Sequence, residues 1–187
     1  MITSLDKNTA LILIDLQRGI VNTPKAHPVA GILENAAKLT EAFRNANLPI
    51  VVTNVNAAGA AWTRSRKDQR MPVGAYKDDF LDITHEIKTE PGDIIITKHT
   101  WGAFFETTLR EQLQERGVTG IVLGGVSTSI GIEGTARQAM EYGYNVSFAL
   151  DAMTDNVAEA HNNSIMHIFP RIGEVGTTDE IIAKLIS

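Results

Sequence analysis

The stretch Gly120-Ile-Val-Leu-Gly-Gly-Val-Ser-Thr-Ser-Ile-Gly131-Ile-Glu-Gly-Thr-Ala-Arg137 joins a short apolar run to a segment with helical spacing. The apolar run predicts a strand that is covered on both faces, and the spacing after Gly131 predicts an amphipathic helix. Glycine and hydroxyl residues dominate the loop between them, which favours backbone amides that gather around a ligand. The same order of strand, loop and helix recurs along the chain and therefore predicts its fold.

Short runs rich in Ile and Val alternate with longer amphipathic segments throughout the sequence. This alternation predicts an α/β fold of three layers, with a mainly parallel sheet between two layers of helices. The predicted strands cover Ala10 to Leu16, Ile50 to Asn54, Asp93 to Lys98, Gly120 to Gly124 and Asn145 to Leu150, with an extended piece near Ile172; the predicted helices cover Val29 to Ala46, Thr107 to Arg116, Ile132 to Tyr142, Asn156 to Phe169 and Thr178 to Ile186.

The composition limits the class of protein. A chain of 187 residues with 43% hydrophobic residues can bury a large core, so one domain over residues 1–187 is expected. The net charge of -5 and the lack of a dense Lys/Arg block argue against partners such as nucleic acid or an anionic membrane. No targeting pattern and no apolar run near the roughly 20 residues of a membrane span is present, so the cytoplasm is the expected location.

Local signals predict several boundaries. Pro91 and Gly92 form a turn pair before the third strand. Thr177 and Glu180 fit a capping box at the start of the last helix. Gly143 predicts a helix end in the left-handed conformation.

The segment from Asn56 to Asp82 has no clear periodicity and is long for a connection. It carries Trp62, Arg64, Arg66 and Arg70. A lid or interface loop and a merely solvated connection both fit this composition.

Polar residues follow the strands at the edge where ligands bind in parallel sheets. Asp15 ends the first apolar run, Lys98 ends the third, and Gly131 lies at the loop-to-helix junction after the fourth. Because ligands bind beyond the carboxyl ends of such strands, these residues are expected to face one cavity. Asp15 is then either a proton donor and acceptor or a structural brace paired with Lys98.

Six segments along the chain carry a resemblance to a known family: Ala10-Leu-Ile-Leu-Ile-Asp15-Leu-Gln, Lys98-His-Thr-Trp-Gly-Ala-Phe-Phe-Glu-Thr-Thr-Leu109, Gly125-Val-Ser-Thr128, Thr135-Ala-Arg137-Gln-Ala, Gly143-Tyr144 and Asp151-Ala152. Over nearly the whole chain they resemble the isochorismatase-like hydrolases, a superfamily that includes nicotinamidases and N-carbamoylsarcosine amidases. The resemblance implies a six-stranded parallel sheet, a homo-oligomer of two or more chains, Asp15 and Lys98 as active-site groups, and a cis peptide between Val126 and Ser127.

One position departs from most of this superfamily. Gly131 stands where the resemblance places a nucleophilic cysteine, and the chain contains no cysteine, which excludes a covalent thiol mechanism. Members that resemble true isochorismatases also carry glycine there, because hydrolysis of a vinyl ether needs a proton and water but no acyl-enzyme. The resemblance then implies that Asp15 donates the proton, that Lys98 orients it or holds a substrate carboxylate, and that amides from Ser129 to Gly131 bind an oxygen atom.

The family resemblance also bears on the substrate, on other functions and on the residues that contact the substrate. Isochorismatases share a glutamine after the second strand where this chain has Val55-Asn56, so isochorismate itself is not the expected substrate. A ligand-binding or regulatory protein without turnover, and an amidase that uses a serine or threonine of the loop, remain alternatives. The predicted substrate-contacting residues are Val126, Ser127, Ser129, Ile130, Trp101, Phe104 and Asn54.

Other patterns give weaker signals. No metal and no nucleotide cofactor is expected, because His161 and His167 are six residues apart in one helix and Gly124-Gly125 lacks the full dinucleotide fingerprint. Trp101, Phe104 and Phe105 either wall a pocket or pack in the core or a subunit interface. Arg137 is expected to form a buried ion pair with Asp151 or with a neighbouring chain.

Overall fold

A computed structural model describes residues 1–68, 76 and 78–185 of the chain. Within these residues the elements alternate along the chain as the sequence predicts. The strands are β1 (Thr9–Ile14), β2 (Ile50–Val55), β3 (Ile94–Lys98), β4 (Gly120–Val126), β5 (Asn145–Thr154) and β6 (Glu174–Gly176); the helices are α1 (Arg18–Val21), α2 (Val29–Asn45), α3 (Leu109–Glu115), α4 (Glu133–Glu141), α5 (Ala158–Asn163) and α6 (Thr178–Leu185).

The six strands form one sheet in the order β3-β2-β1-β4-β5-β6. Every paired strand is parallel to its neighbour, which confirms the predicted sheet. The chain adds β2 and β3 on one side of β1 and then places β4 on the other side. The carboxyl ends of β1 and β4 therefore lie at the point where the strand order reverses, and a crevice forms there in such sheets.

Each face of the sheet is covered by its own apolar core. Alternate residues of β1 separate the two cores, because successive side chains of a strand point to opposite faces. Ile12 and Ile14 pack with residues of α3 and α4, and Leu11 and Leu13 pack with residues of α2 and α6. All six residues of β1 are buried, which explains why its sequence is a continuous apolar run.

Several boundaries differ from the sequence prediction. β4 continues to Val126 and β5 to Thr154, past a break in their register after Leu123. The helix predicted from Ile132 begins earlier, with a π-helical turn over Thr128–Ile132. The helix predicted from Asn156 begins at Ala158 and changes to π-helical and 3-10 turns, and the last strand lies at Glu174–Gly176 rather than near Ile172.

The local signals are confirmed where the structure describes them. The Thr177 amide donates to Glu180 Oε2 at 2.9 Å, and the Glu180 amide donates to Thr177 Oγ1 at 3.2 Å, which is a reciprocal capping box. Gly143 ends the α4 segment at a φ of 84°. The Asp93 amide donates to the Glu90 carbonyl at 2.9 Å and closes the turn at Pro91 and Gly92.

The segment from Asn56 to Asp82 is described only in part. Its first half contains a 3-10 turn over Ala61–Arg64. Arg70 and the predicted end of the last helix at Ile186 lie outside the described residues. None of the helices in the described ranges has the length and apolar character needed to cross a bilayer.

Candidate active site

Asp15 and Lys98 meet beyond the carboxyl ends of the strands. Lys98 Nζ lies 2.6 Å from Asp15 Oδ2, and the two side chains are 2% and 5% exposed. Lys98 ends β3, which is separated from β1 by β2, so its long side chain reaches across β2 to the end of β1. Lys98 Nζ also donates to the Thr100 carbonyl at 3.1 Å. The predicted meeting of these two residues is therefore present in the structure.

Thr53 holds Asp15 in place and Gln17 supports the end of β1 nearby, and the sequence prediction named neither residue. Thr53 in β2 donates its hydroxyl to Asp15 Oδ1 at 2.7 Å. Gln17 is fully buried and accepts a hydrogen bond from the Val55 amide at 2.6 Å, which ties the end of β1 to the end of β2. A signal for Thr53 was available, because a hydroxyl in an otherwise apolar buried strand needs a hydrogen-bond partner.

The backbone and the surroundings of Asp15 both affect its carboxyl group. Its φ of 51° is in the left-handed region, which aspartate tolerates better than most residues. Burial raises the pKa of the Asp15 carboxyl, and the charge of Lys98 with hydrogen bonds from Lys98 and Thr53 opposes this rise without cancelling it. A carboxyl with a raised pKa is a better proton donor near neutral pH than an exposed one.

Gly131 lies directly against this pair. A Cβ atom built on Gly131 would be 3.5 Å from Asp15 Oδ2, so the position where the sequence resemblance places a cysteine adjoins the carboxylate. The same atom would be 2.8 Å from Ile14 Cγ2, which is closer than real Cβ contacts. A side chain at this position therefore requires Ile14 to move, and glycine fits without any movement.

The backbone amides of the loop after β4 have other hydrogen-bond partners than the sequence predicts. The Ser129 amide donates to Asp155 Oδ2 at 2.7 Å, and the Ile130 amide donates to the Ser127 carbonyl at 3.2 Å. Two of the three amides expected to bind a substrate oxygen are thus hydrogen-bonded within the protein. Asp155 was not singled out from the sequence, although an Asp after a strand and before a helix often accepts from backbone amides.

The loop hydroxyls are also engaged. The Ser129 hydroxyl donates to Asp155 Oδ2 at 2.8 Å. Thr128 Oγ1 lies 2.8 Å from His161 Nδ1, and both residues are buried. His161 is therefore a packed, hydrogen-bonded residue, as the spacing of the histidines favoured, while neither hydroxyl is exposed beside Asp15.

His161 gives the fold a dependence on pH. Burial lowers the pKa of its imidazole and the nearby His27 lowers it further, while Asp155 opposes both. The unfolded chain then binds a proton below the ordinary pKa of 6.5 that the folded chain does not. We expect stability to be complete above pH 6.5 and to fall as the pH drops from there toward the lowered pKa.

Urea unfolding between pH 7.5 and pH 5 measures this effect. His161→Gln keeps a hydrogen-bonding group for Thr128 but has no imidazole to take up a proton. This variant should therefore lose less stability between pH 7.5 and pH 5 than the unaltered protein. Equal pH dependence of the two proteins would show that His161 is not the group responsible.

Three other residues that were predicted to contact the substrate, Phe104, Trp101 and Asn54, differ in burial and in hydrogen bonding. Phe104 is 5% exposed and packs in the core beside Tyr142 and Tyr144, so it is a packing residue and not a pocket wall. Trp101 is 51% exposed. Asn54 donates to the Leu81 carbonyl at 3.1 Å, and its Oδ1 is buried without a hydrogen-bond partner.

Val126 and Ser127 form the base of the loop. Val126 is fully buried, and the peptide bond between the two residues is cis. The Ser127 carbonyl accepts from the amides of Ile130 and Ile132, which organises the π-helical turn. In this structure both residues support the loop from within.

A cavity of about 750 Å³ opens beside the Asp15 and Lys98 pair. Neither residue of the pair lines it, but Thr100 does, and the Thr100 carbonyl accepts from Lys98 Nζ. Thr100 therefore connects the cavity to the buried pair through a single hydrogen bond. Its lining residues come from the segments after β2 and β3 and from α4: Ala58, Gly59, Ala60, Ala61, Trp62, His99, Thr100, Gly102, Phe105, Glu106 and Gln138.

Arg137 is not placed as expected. Its Nη2 lies 2.8 Å from Glu133 Oε1, one helical turn away on α4, and its side chain is 52% exposed. Asp151 instead accepts from the amide and hydroxyl of Thr178. The reason is that Arg137 lies on the outer side of α4, so the near acidic residue is on its own helix. Among the residues that the structure describes, no cluster of three or more His, Asp or Glu side chains is placed to hold a metal.

Comparison with known proteins identifies the family of this chain. A model of the isochorismatase domain matches residues 9–180. The chain belongs to the isochorismatase family. It is 39% identical over 182 residues to the isochorismatase family protein YwoC of Bacillus subtilis, covering 96% of this chain and 95% of that protein. It is 27% identical to a maleamate amidohydrolase of Pseudomonas putida, covering 96% of this chain and 87% of that protein.

Solved structures of the family share the fold. An isochorismatase family protein from Burkholderia thailandensis superposes with a TM-score of 0.94 at 33% identity, and each chain is covered over 100% of its length. N-carbamoylsarcosine amidase from Thermoplasma acidophilum superposes with a TM-score of 0.76 at 24% identity, which shows the shared fold. The chain is accordingly an isochorismatase-family hydrolase.

Proposed function

We propose that this hydrolase forms no covalent enzyme intermediate and hydrolyses vinyl ethers, with Asp15 as general acid and base. The observation that carries the proposal is the buried ion pair of Asp15 and Lys98, 2.6 Å long, directly against a glycine at the nucleophile position. An acid whose pKa is raised by burial suits protonation of carbon near neutral pH.

The reaction balances with water as its only co-reactant. Asp15 gives its proton to the terminal carbon of the C=C–O unit, and the ether oxygen stabilises the resulting cation. Water adds to the cationic carbon and returns a proton to Asp15. The hemiketal then breaks its bond to the leaving oxygen, which leaves as an alcohol while a carbonyl group forms. General acid catalysis of this kind contributes about 100- to 10,000-fold.

Lys98 has a positioning and electrostatic role in this scheme. Its ammonium group favours the ionised carboxylate that remains after Asp15 donates, and Thr53 holds the other carboxylate oxygen. Both contacts stabilise the charge that develops during proton transfer, and they are in place before the reaction.

The serine amidase alternative is opposed by the contacts of Ser129. Its hydroxyl donates to Asp155 Oδ2, and the same carboxylate also accepts hydrogen bonds from three backbone amides, so Asp155 holds the loop together. Thr128 lies beside an imidazole but is 0% exposed. Thr128 therefore lacks the access that attack on a substrate requires, and the Ser129 hydroxyl is already bonded to Asp155.

Isotope labelling tests the proposed reaction. The protein is incubated with a panel of enolpyruvyl ethers in D₂O and, separately, in H₂¹⁸O, and the products are analysed by mass spectrometry. We expect one deuterium in the new methyl group of the keto acid and no ¹⁸O in the released alcohol. ¹⁸O in the alcohol, or turnover of amides with no turnover of any ether, would contradict the proposal; a ligand that binds and is recovered unchanged would favour a protein without turnover.

A further inference from the structure

The cavity beside the ion pair has walls suited to a flat apolar molecule. Trp62 and Phe105 supply aromatic surface, and five Ala and Gly residues supply walls that allow close approach. Its volume of about 750 Å³ lies within the range of small-molecule sites. Phe105 is 53% exposed, so the cavity leaves a large aromatic side chain open to a ligand.

Two cations lie next to these walls. Arg64 Nη1 donates to the carbonyl of Gly59 at 3.2 Å, and Lys67 Nζ donates to the carbonyl of Trp62. Lys67 Nζ is also 4.9 Å from the centre of the Trp62 ring. Both cations are thus attached to residues that line the cavity.

Neither cation has an anionic partner among the described residues. Within residues 1–68, 76 and 78–185, no carboxylate forms an ion pair with Arg64 or Lys67. One carbonyl oxygen satisfies only one of the several N–H groups that each side chain carries. Two unpaired cations at one aromatic cavity favour an anionic ligand.

The other polar groups at the cavity restrict the number of acid groups that a ligand can carry. His99 Nδ1 lies 2.7 Å from the Asn56 carbonyl and donates a hydrogen bond to it. Glu106 lines the cavity with an exposed carboxylate. The negative charge of Glu106 opposes a second acid group, so one anionic group is favoured over two.

We propose that this cavity binds a small-molecule monocarboxylate, with its flat apolar body against Trp62 and Phe105 and its acid group at Arg64 and Lys67. That the bound molecule is the substrate rests on the proposed function. The cavity adjoins Lys98 through Thr100, because Thr100 lines the cavity and its carbonyl accepts a hydrogen bond from Lys98 Nζ. Arg64 and Lys67 then select the substrate and take no part in the proton transfer.

NMR titration of the whole chain tests this inference without any turnover. The sequence contains two tryptophans, so the ¹⁵N spectrum has two indole signals, and a Trp101→Phe variant assigns them. Two matched pairs of probes are titrated, cinnamate with cinnamamide and benzoate with benzamide. We expect the carboxylates to shift the Trp62 signal and to bind about fivefold or more tightly than the amides, a difference that decreases with added salt.

Charge variants show whether the preference belongs to this cavity. Arg64→Gln combined with Lys67→Gln should bring the carboxylate and the amide to equal affinity. Arg66→Gln removes an exposed cation from the same segment and should leave the preference unchanged. Equal binding of acids and amides, equal effects of the two sets of variants, shifts at Trp101 alone, or no shift by any probe would each overturn the inference.

The outcomes for the cavity and for the reaction are separable. Binding of the carboxylates is measured without turnover, and Asp15 does not line the cavity. Turnover of enol ethers with no carboxylate preference would refute the cavity inference alone, and carboxylate binding without any turnover would refute the proposed reaction alone.

Discussion

Replacement of Asp15 by Asn should lower kcat for the proposed reaction about 100- to 10,000-fold. An amide cannot donate the proton that the scheme requires, and general acid catalysis contributes about 100- to 10,000-fold. In the unaltered protein the activity should also fall as the pH rises through the raised pKa of Asp15, because only the protonated carboxyl donates. Steady-state kinetics from pH 5 to 9 measure both effects.

A matched double variant separates chemistry from folding. Asp15→Asn leaves the Lys98 ammonium buried without its partner, which costs about 3 to 5 kcal/mol in comparable cases. Asp15→Asn combined with Lys98→Met removes both charges and should be more stable than the single variant while remaining inactive. If either variant keeps full activity with a normal fold, Asp15 is not the acid.

Replacement of Gly125 by Ala should destabilise the fold by about 4 kcal/mol or more. Gly125 has a φ of 121°, which side chains rarely adopt, and a Cβ atom there would lie 2.1 Å from the Ile14 carbonyl oxygen. Because the clash is with the backbone of the central strand β1, a rotamer change cannot relieve it. Urea unfolding monitored by circular dichroism measures the change.

Two other glycines provide matched controls. Gly143 has a φ of 84° but no atom within 4 Å of an added Cβ, so Gly143→Ala should cost only about 1 to 2 kcal/mol of backbone strain. Gly31 lies in α2 with open space around it, so Gly31→Ala should stabilise the protein by about 0.5 to 1 kcal/mol. A Gly125→Ala variant no less stable than Gly143→Ala would contradict the clash argument.

The strands were predictable because each is an apolar run with a local end signal. β1, β2 and β3 lie within two residues of their predicted bounds. β1 and most of β2 are buried on both faces, which makes the whole run hydrophobic, whereas β3 is an edge strand with alternating burial. The end of β5 was missed by four residues because Asp151 and Thr154 interrupt its apolar run. Asp151 is half-buried and bonds to Thr178, a contact that the local sequence does not contain.

Only some residues of the candidate site could be predicted from the sequence. Asp15, Lys98 and Gly131 follow strands, so the strand-end rule selected them without coordinates. Thr53, Gln17 and Asp155 were missed, because each acts through hydrogen bonds to residues far along the chain. Phe104 was assigned to a pocket as well as to packing, and only its contacts with Tyr142 and Tyr144 decide between them.

The sequence by itself determined the order of strands and helices, the resemblance to the isochorismatase family and the absence of a thiol. These properties follow from hydrophobic periodicity and from residue identity, which are local. Only the tertiary structure decided that Lys98 crosses β2 to reach Asp15, that the loop amides of Ser129 and Ile130 bond within the protein, and that the cavity opens beside Thr100 rather than on the ion pair. Distances between side chains from separate strands depend on packing across the whole sheet, and no local pattern records them.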